Sequence, residues 1–505
     1  MPDQELAHRS RKSTLRIALI ILQPSLVNFL SSFTNGVITV GLPIISRSIA
    51  LPRELYLWPT SVCGLTSGAM LLLAGAIADI VGARIVDLVG IFLLGCFTLA
   101  CGLSATGVQL VIFRAFQGIA TSMHLPASVA LVAAAVPQGR TRNIGFACLG
   151  LSQPLGFSVG LVVSGIMIER TGWRSCFYLA GGAMLVTAIT AIWTLPRVKL
   201  EGQAVTGLRT LRRLYMELDW IGGMLASAGL AILSYVLAVL SADLQSIHSA
   251  STACLLAVSF VLLVAFPVWM HIREKAGKPA LVPNALWKNT PFASTCVMVA
   301  LSNGVCNSIE LFSSLYFQEV QSRSILTTSL YLLPNLLTGV CLNMLVGSFV
   351  DRMPARWLVV TSSFLCILSP LGMSLVNPSW SYWYLEFWAQ IFAPFSSDVL
   401  FTVGLIIVSD QFPEKTQALA GAVFNTVAQF GMSLGIGTCQ VVSLAVMAKT
   451  ESQESKEGAS GESEHAAVLN SYRAVFFLMC GYMTICGFLA IFGLRKAGKV
   501  GLKRE

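Results

Sequence analysis

The sequence predicts an all-α membrane protein built as two six-helix repeats with two further helices between them, fourteen transmembrane helices in all. Three observations carry that prediction. Fourteen apolar segments are each long enough to cross a bilayer, Lys and Arg concentrate in alternate loops, and a residue pattern at Gly75 recurs at Gly347. Composition sets the frame: 55% of residues are apolar, 11% are charged and the mean hydropathy is +0.74. A soluble chain so short of polar groups cannot cover its apolar surface, so the solvent must be lipid.

The segments fall near residues 19–44, 59–80, 86–104, 109–134, 144–166 and 176–195, then 221–241 and 251–270, then 293–317, 328–350, 358–376, 382–408, 416–446 and 474–494. Each suffices for about twenty helical residues, the length that spans hydrocarbon. The chain thus divides into an amino terminus (1–18), a six-helix bundle (19–196), a basic linker (197–220), two extra helices (221–272), a second linker (273–292), a second six-helix bundle (293–494) with an acidic outer loop at 448–472, and a basic tail (495–505). Arg9, Arg11, Lys12 and Arg16 precede an apolar run longer than a cleavable signal core, so the amino terminus is expected to stay attached.

With both termini in the cytoplasm, the loops on that side hold 24 of the 33 Lys and Arg residues and the outer loops 8, Arg114 being the one inside a segment. This is the positive-inside pattern, and it requires an even number of spans. The same clusters account for the +9 formal charge, so lipid headgroups rather than nucleic acid are the expected partner. The thirteen cysteines are scattered, with no C-x-x-C and no His at zinc spacing; they read as small apolar residues, and no metal site is expected. The stretch 451–466, rich in Ser, Gly and Glu, reads as a flexible solvated loop.

GAIADIVGAR (75–84) and GSFVDRMPAR (347–356) agree at Gly75 and Gly347, Asp79 and Asp351, and Arg84 and Arg356. Each lies in a turn between the second and third helix of its group. The same offset sets Asn35 on Asn307 and Arg114 on Glu386, while GFSVG (156–160) meets GMSLG (431–435), pairing Gly156 with Gly431 and Gly160 with Gly435. The two groups read as copies.

Gly75, Asp79, Gly82 and Arg84 follow the pattern G-x-x-x-D-x-x-G-x-[RK], and Leu110, Arg114, Gln117 and Gly118 follow L-x-x-x-R-x-x-Q-G. Trp173, Arg174 and Phe177 spell WR-x-x-F at the sixth segment, and Asp219, Trp220 and Gly222 open the seventh. In this order and on these sides of the membrane, the residues resemble the major facilitator superfamily, specifically its fungal fourteen-spanner drug:proton antiporter branch. The resemblance implies the major-facilitator fold, with two halves rocking about a central site, and proton-coupled efflux of a small organic compound: a drug, toxin or secondary metabolite. It further implies a proton gradient in place of any cofactor, and small-molecule substrate, protons and the bilayer as partners of a monomer. The plasma membrane is the expected location, the vacuolar membrane the alternative. One departure bears on coupling: the antiporter motif G-x-x-x-G-P-x-x-G-G survives only at Gly156 and Gly160, with Phe157 where Pro is usual and Leu161 in the last place. Uptake or facilitated flow of a small ion or nutrient, ammonium- or borate-like, therefore stays open.

Arg114 is the sharpest single signal, since a guanidinium at membrane depth is costly and persists where it has partners or faces a cavity. It reads either as a proton-coupling residue or as a structural Arg pairing Gln117 and nearby carbonyls. Glu310 shares a helical face with Asn303 and Asn307; withdrawn from water it can exchange a proton, and at the outer end it is simply wet. Asp398 poses the same choice. Glu386, among Trp383, Tyr384 and Trp388, reads as a solvated acid in an aromatic belt. Asn28 and Asn35, and Asn425, Gln429 and Ser433, fall on single faces and either line a path or join helices. Gly75, Asp79, Gly82 and Arg84, with their copies Gly347, Asp351 and Arg356, read as a latch on one access state.

Other classes fit poorly. GFSVG and GMSLG spell the G-x-S-x-G of a hydrolase elbow, but that elbow needs a strand before it and both copies lie inside apolar helices, where small residues serve packing. His124 is the one histidine in an apolar stretch with an acid to consider, so the chain is not expected to be an enzyme. A sensor would carry a large soluble module, which linkers of about twenty residues do not supply.

Overall fold

The computed structural model describes residues 2–51, 55–136, 140–196, 219–242, 246, 248–278, 280–349, 354–412, 414–457 and 463–495. Among them fourteen helices are long and apolar enough to cross a membrane. The first half comprises α1 (Pro2–Ser48), α2 (Trp58–Val81), α3 (Ala83–Leu103), α4 (Gly107–Ala135), α5 (Arg140–Thr171) and α6 (Trp173–Thr194). Next come α7 (Trp220–Ala242) and α8 (Ala250–Lys275). The second half comprises α9 (Thr290–Leu315), α10 (Ile325–Phe349), α11 (Ala355–Leu375), α12 (Glu386–Phe392), α13 (Phe395–Gln411), α14 (Glu414–Glu457) and α15 (Ser463–Gly493), with α12 and α13 together making one span.

Local chemistry sets several boundaries. Thr106, Ser249 and Asn289 cap α4, α8 and α9 by accepting from the backbone N–H three residues on, the partner those first-turn donors need. Asp219 does the same for α7, accepting from Gly222 N at 3.0 Å and from Trp269 Nε1 at 2.9 Å, with Arg273 Nε 3.9 Å away. Asp219 thereby ties the start of α7 to α8. Gly82 turns the chain from α2 to α3 at φ +107°, a conformation that side chains resist.

The helices depart from the hydropathy segments in three places. Helix α1 begins at Pro2, inside the polar amino terminus, and α14 and α15 reach Glu457 and Ser463, inside the stretch expected to be a flexible loop. Hydropathy locates the part of a helix that lies in lipid and is silent on its continuation into water. The segment at 382–408 is broken between Phe392 and Phe395, where Pro394 cannot extend the first helix.

The copies pack alike. In the first half α1 lies on α5 and α3 on α6; in the second, α9 lies on α14 and α11 on α15. The halves meet along α2 with α14 and along α5 with α10, a reciprocal pairing. Gly156 and Gly160 bring α5 against the backbone of Phe29 and Phe33, and a Cβ at Gly36 would stand 2.6 Å from the Phe157 carbonyl oxygen. In the other copy Gly431 meets Ala300, and a Cβ at Gly435 would stand 2.5 Å from Gly304 Cα. Lipid gives no hydrophobic drive between helices, so close approach of this kind is what holds each pair.

Candidate functional site

Arg114, on α4, is 1% exposed. Its Nε donates to Pro59 O at 2.9 Å, Nη1 to Gln117 Oε1 at 2.7 Å and Nη2 to Asn35 Oδ1 at 2.7 Å. Gln117 Nε2 then reaches Thr34 Oγ1 at 3.1 Å and Thr98 Oγ1 at 3.0 Å. One network thus joins α1, α2, α3 and α4 around the cation, the condition on which a buried guanidinium is tolerated. The structure brings together Arg114, Gln117 and Asn35 of the predicted set; Asn28, also on α1, is buried further along it.

The second half places acids where the first places a cation. Glu310 on α9 is buried and accepts from Asn335 Nδ2 of α10 at 3.2 Å. Asp398, in the first turn of α13, lies against Gly339 of α10, near enough for its charge to act on Glu310. Asn343, one turn along α10, accepts from Thr402 of α13 at 3.1 Å. The two carboxyls therefore converge across α9, α10 and α13. The predicted stripe with Asn303 and Asn307 does not hold together: Asn303 donates to Ala428 O of α14 at 2.8 Å and Asn307 back to Asn303, while Glu310 faces α10. Asn425 donates to Gly421 O of its own helix at 2.9 Å, and Gln429 lies at the seam between halves, its Oε1 3.5 Å from where a Cβ at Gly64 would stand.

Four hydrogen bonds across the halves cluster at the end opposite both termini. Ser314 Oγ donates to Thr39 O at 3.2 Å, Gln318 Nε2 to Val40 O at 3.0 Å and Tyr56 to Glu319 Oε1 at 2.9 Å; Glu169 Oε1 stands 3.5 Å from Leu326 N. Glu319 also accepts from Tyr472 of α15, so one carboxylate holds both halves. Burial and the adjacent Glu319 charge push the Tyr56 phenol well above its usual range, which keeps it a donor. Gln318 and Glu319 ride on a π-helical turn, Tyr316–Val320, at the end of α9.

The turn between α2 and α3 reads differently from expectation. Arg84 donates to Ile192 O at 2.6 Å, capping the last turn of α6 within its own half. Gly82 is required by its backbone angle, whereas a Cβ at Gly75 would make ordinary contact with Pro126 at 3.8 Å, so closeness does not explain Gly75. Arg356 lies over the Trp357 ring at 5.2 Å. Gly347 closes toward the end of α10; Asp351 and the side chain of Asp79 lie outside the described residues.

Two features were misread or missed in the sequence. Glu386 is 2% exposed and accepts from Gln321 Nε2 at 2.6 Å, a correction to the solvated acid expected there. Trp383, Tyr384 and Trp388 do form the exposed belt, and Glu386, the first residue of α12, turns from it toward the end of α9. Asp87 of α3 and His124 of α4 form a fully buried pair, Oδ1 to Nδ1 2.7 Å. An acid one residue inside an apolar segment was the available sign.

The sequence model of the Major Facilitator Superfamily matches residues 25–436. A Pyricularia oryzae protein, MFS-type transporter 1, is 38% identical over 97% of this chain and 85% of its own length. Two Saccharomyces cerevisiae proteins are each 25% identical: the low affinity ammonium transporter, over 75% of this chain and 72% of its own, and the aminotriazole resistance protein, over 88% and 77%. The crystal structure of a bacterial homolog of the human lysosomal transporter Spinster superposes with a TM-score of 0.64 at 14% identity, covering 95% of this chain and 97% of that one. With its helices, its repeated packing and its central polar residues in place, the chain belongs to the Major Facilitator Superfamily and is a multi-pass membrane transporter.

Proposed function

We propose that this chain exports small, largely apolar organic compounds in exchange for protons, by alternate opening of the two ends of the seam between its halves. The observation that carries the reading is the division of charge: Arg114 fixed by three acceptors in the first half, Glu310 and Asp398 converging in the second. A guanidinium cannot release its proton, so the carboxyls are the groups able to load and discharge one. When both are ionised they repel, and a proton or a cationic substrate relieves that repulsion, which makes the two mutually exclusive. A relative that bears a resistance name is in keeping with export. From the loop charges we assign the termini to the cytoplasm, which makes the end tied across the halves by Ser314, Gln318 and Glu319 the outer one, closed in this state, and the plasma membrane is the membrane we assign.

A second reading has its own support. Phe157 in place of the usual Pro removes part of the antiporter motif, and one relative is named a low affinity ammonium transporter. On this reading the carboxyls bind a small cation that flows without proton exchange.

Flux in proteoliposomes separates the two. With a pH gradient imposed and lumenal pH followed, a panel of lipophilic cations, weak acids, ammonium and borate is presented to wild type, Arg114→Ala, Glu310→Gln and Asp398→Asn. Substrate-triggered proton movement lost in Glu310→Gln and Asp398→Asn is the expected outcome. Substrate flux with no proton movement in wild type retires the exchange mechanism and leaves a facilitator.

A further inference from the structure

We propose that Glu386 is a second proton-binding carboxyl, separate from Glu310 and Asp398, which sets the strength of the closed end through the turn at Tyr316–Val320. The proposal rests on the proton-coupled reading above.

Glu386 is buried with one oxygen used and one not: Oε1 accepts from Gln321 at 2.6 Å, and Oε2 has no partner. Gln321 Oε1 and the hydroxyl of Tyr316, a residue 1% exposed, lie beside it, and the phenol is placed to serve the amide oxygen rather than Oε2. A buried polar atom without a partner is uncommon and calls for a reason. An oxygen left bare inside the protein is one that can take up a proton without breaking an existing hydrogen bond. The charged and titratable groups around the site are Arg323, whose charge acts on Glu386; Arg473 of α15, whose charge acts on Tyr316 and which donates to Val376 O; Tyr316 itself; and Tyr382, stacked on Tyr331 of α10.

The link to the closed end is covalent and short. Gln321 N–H closes the turn onto Tyr316 O at 3.2 Å, Arg323 N–H bonds Phe317 O at 2.9 Å, and Ser322 between them is held at φ +51°. That left-handed angle is one that serine adopts only when its surroundings enforce it. The same turn presents Gln318 and Glu319 to the first half on its other side. The ionised Glu386 anchors the turn through a charge-assisted bond, roughly twice the strength of a neutral one. Protonation removes the charge, slackens the anchor and weakens the hold of Gln318 and Glu319 on α1 and Tyr56. A proton arriving from that side thus favours opening to that side.

The test measures distance without substrate. Spin labels at Ala105 and Ser381, exposed on the two halves at the closed end, report the separation in lipid nanodiscs from pH 5 to pH 8. Wild type is expected to gain a longer-distance population on acidification, the ratio of open to closed rising about tenfold. Glu386→Gln and, as a fold-sparing second variant, Gln321→Ala should hold the acidic distribution at every pH, whereas Glu319→Gln should open further yet keep its pH response. No pH dependence in wild type, or a wild-type response in Glu386→Gln, overturns the proposal. Because no substrate is present, loss of proton-driven flux with this response intact would sink the transport mechanism alone, and the reverse result would sink only the role of Glu386.

Discussion

Ser314 of the second half donates its hydroxyl to the carbonyl of Thr39 in the first, and Thr39 is the residue four before Pro43. A helix carbonyl ordinarily takes the N–H four residues on; proline has none. The contact between halves is therefore made by a group that α1 cannot satisfy for itself, and in lipid such a group must find a partner. Ser314→Ala should shift the equilibrium toward opening at this end by about fivefold, near 1 kcal/mol. In a Pro43→Ala background, where Thr39 O has its own N–H, the same substitution should have little effect. A double-mutant cycle on the spin-label distance checks this, and additive effects would refute the role given to Pro43.

Arg114→Lys keeps the charge and loses the fork that reaches Pro59, Gln117 and Asn35 together. Its flux and thermal stability in detergent should fall nearly as far as those of Arg114→Ala. Asn35→Ala removes one acceptor of three and should cost about 1–3 kcal/mol. A wild-type melting temperature for Arg114→Lys would show that the geometry of the network matters less than its charge.

The Asp87–His124 pair gives a test by contrast. Asp87→Leu or His124→Leu alone leaves a polar group buried without its partner and should destabilise by about 3–5 kcal/mol, whereas the double substitution should recover most of that loss. Thermal unfolding of the four proteins decides it. If the double variant is stable but transports poorly, the pair serves movement rather than folding.

Gly156→Ala and Gly431→Ala occupy matching places in the two copies, each against the backbone of a partner helix. Both should lower stability by about 1–3 kcal/mol through overpacking, while Gly182→Ala, with open space around it, should not. Melting curves of the three variants test the match.

What the sequence disclosed follows from what each residue can report by itself. The spans were legible because hydropathy registers the solvent each stretch meets. Arg114 was legible because a cation in lipid is rare, and Gln117 because it lies three residues away; Asn35, 79 residues distant, became its partner only through the crossing of α1 with α4. The same limit hid Asn335 beside Glu310 and Asp87 beside His124, since which face of one helix meets which face of another depends on rotation about both axes. Glu386 misled for the opposite reason: its neighbours Trp383, Tyr384 and Trp388 are interfacial, and one residue of such a cluster turned inward does not alter the composition of the cluster.

Helices α7 and α8 bear on how a greasy solute arrives. α7 rests on α2 and on α14, one from each half, and α8 lies outside it, so the pair shields one flank of the seam from the surrounding hydrocarbon. The flank formed by α5 and α10 has no such shield among the described residues. For the apolar compounds proposed above as substrates, the two flanks of the seam would present unlike faces to the acyl chains, the α5–α10 flank being the unshielded one among the described residues.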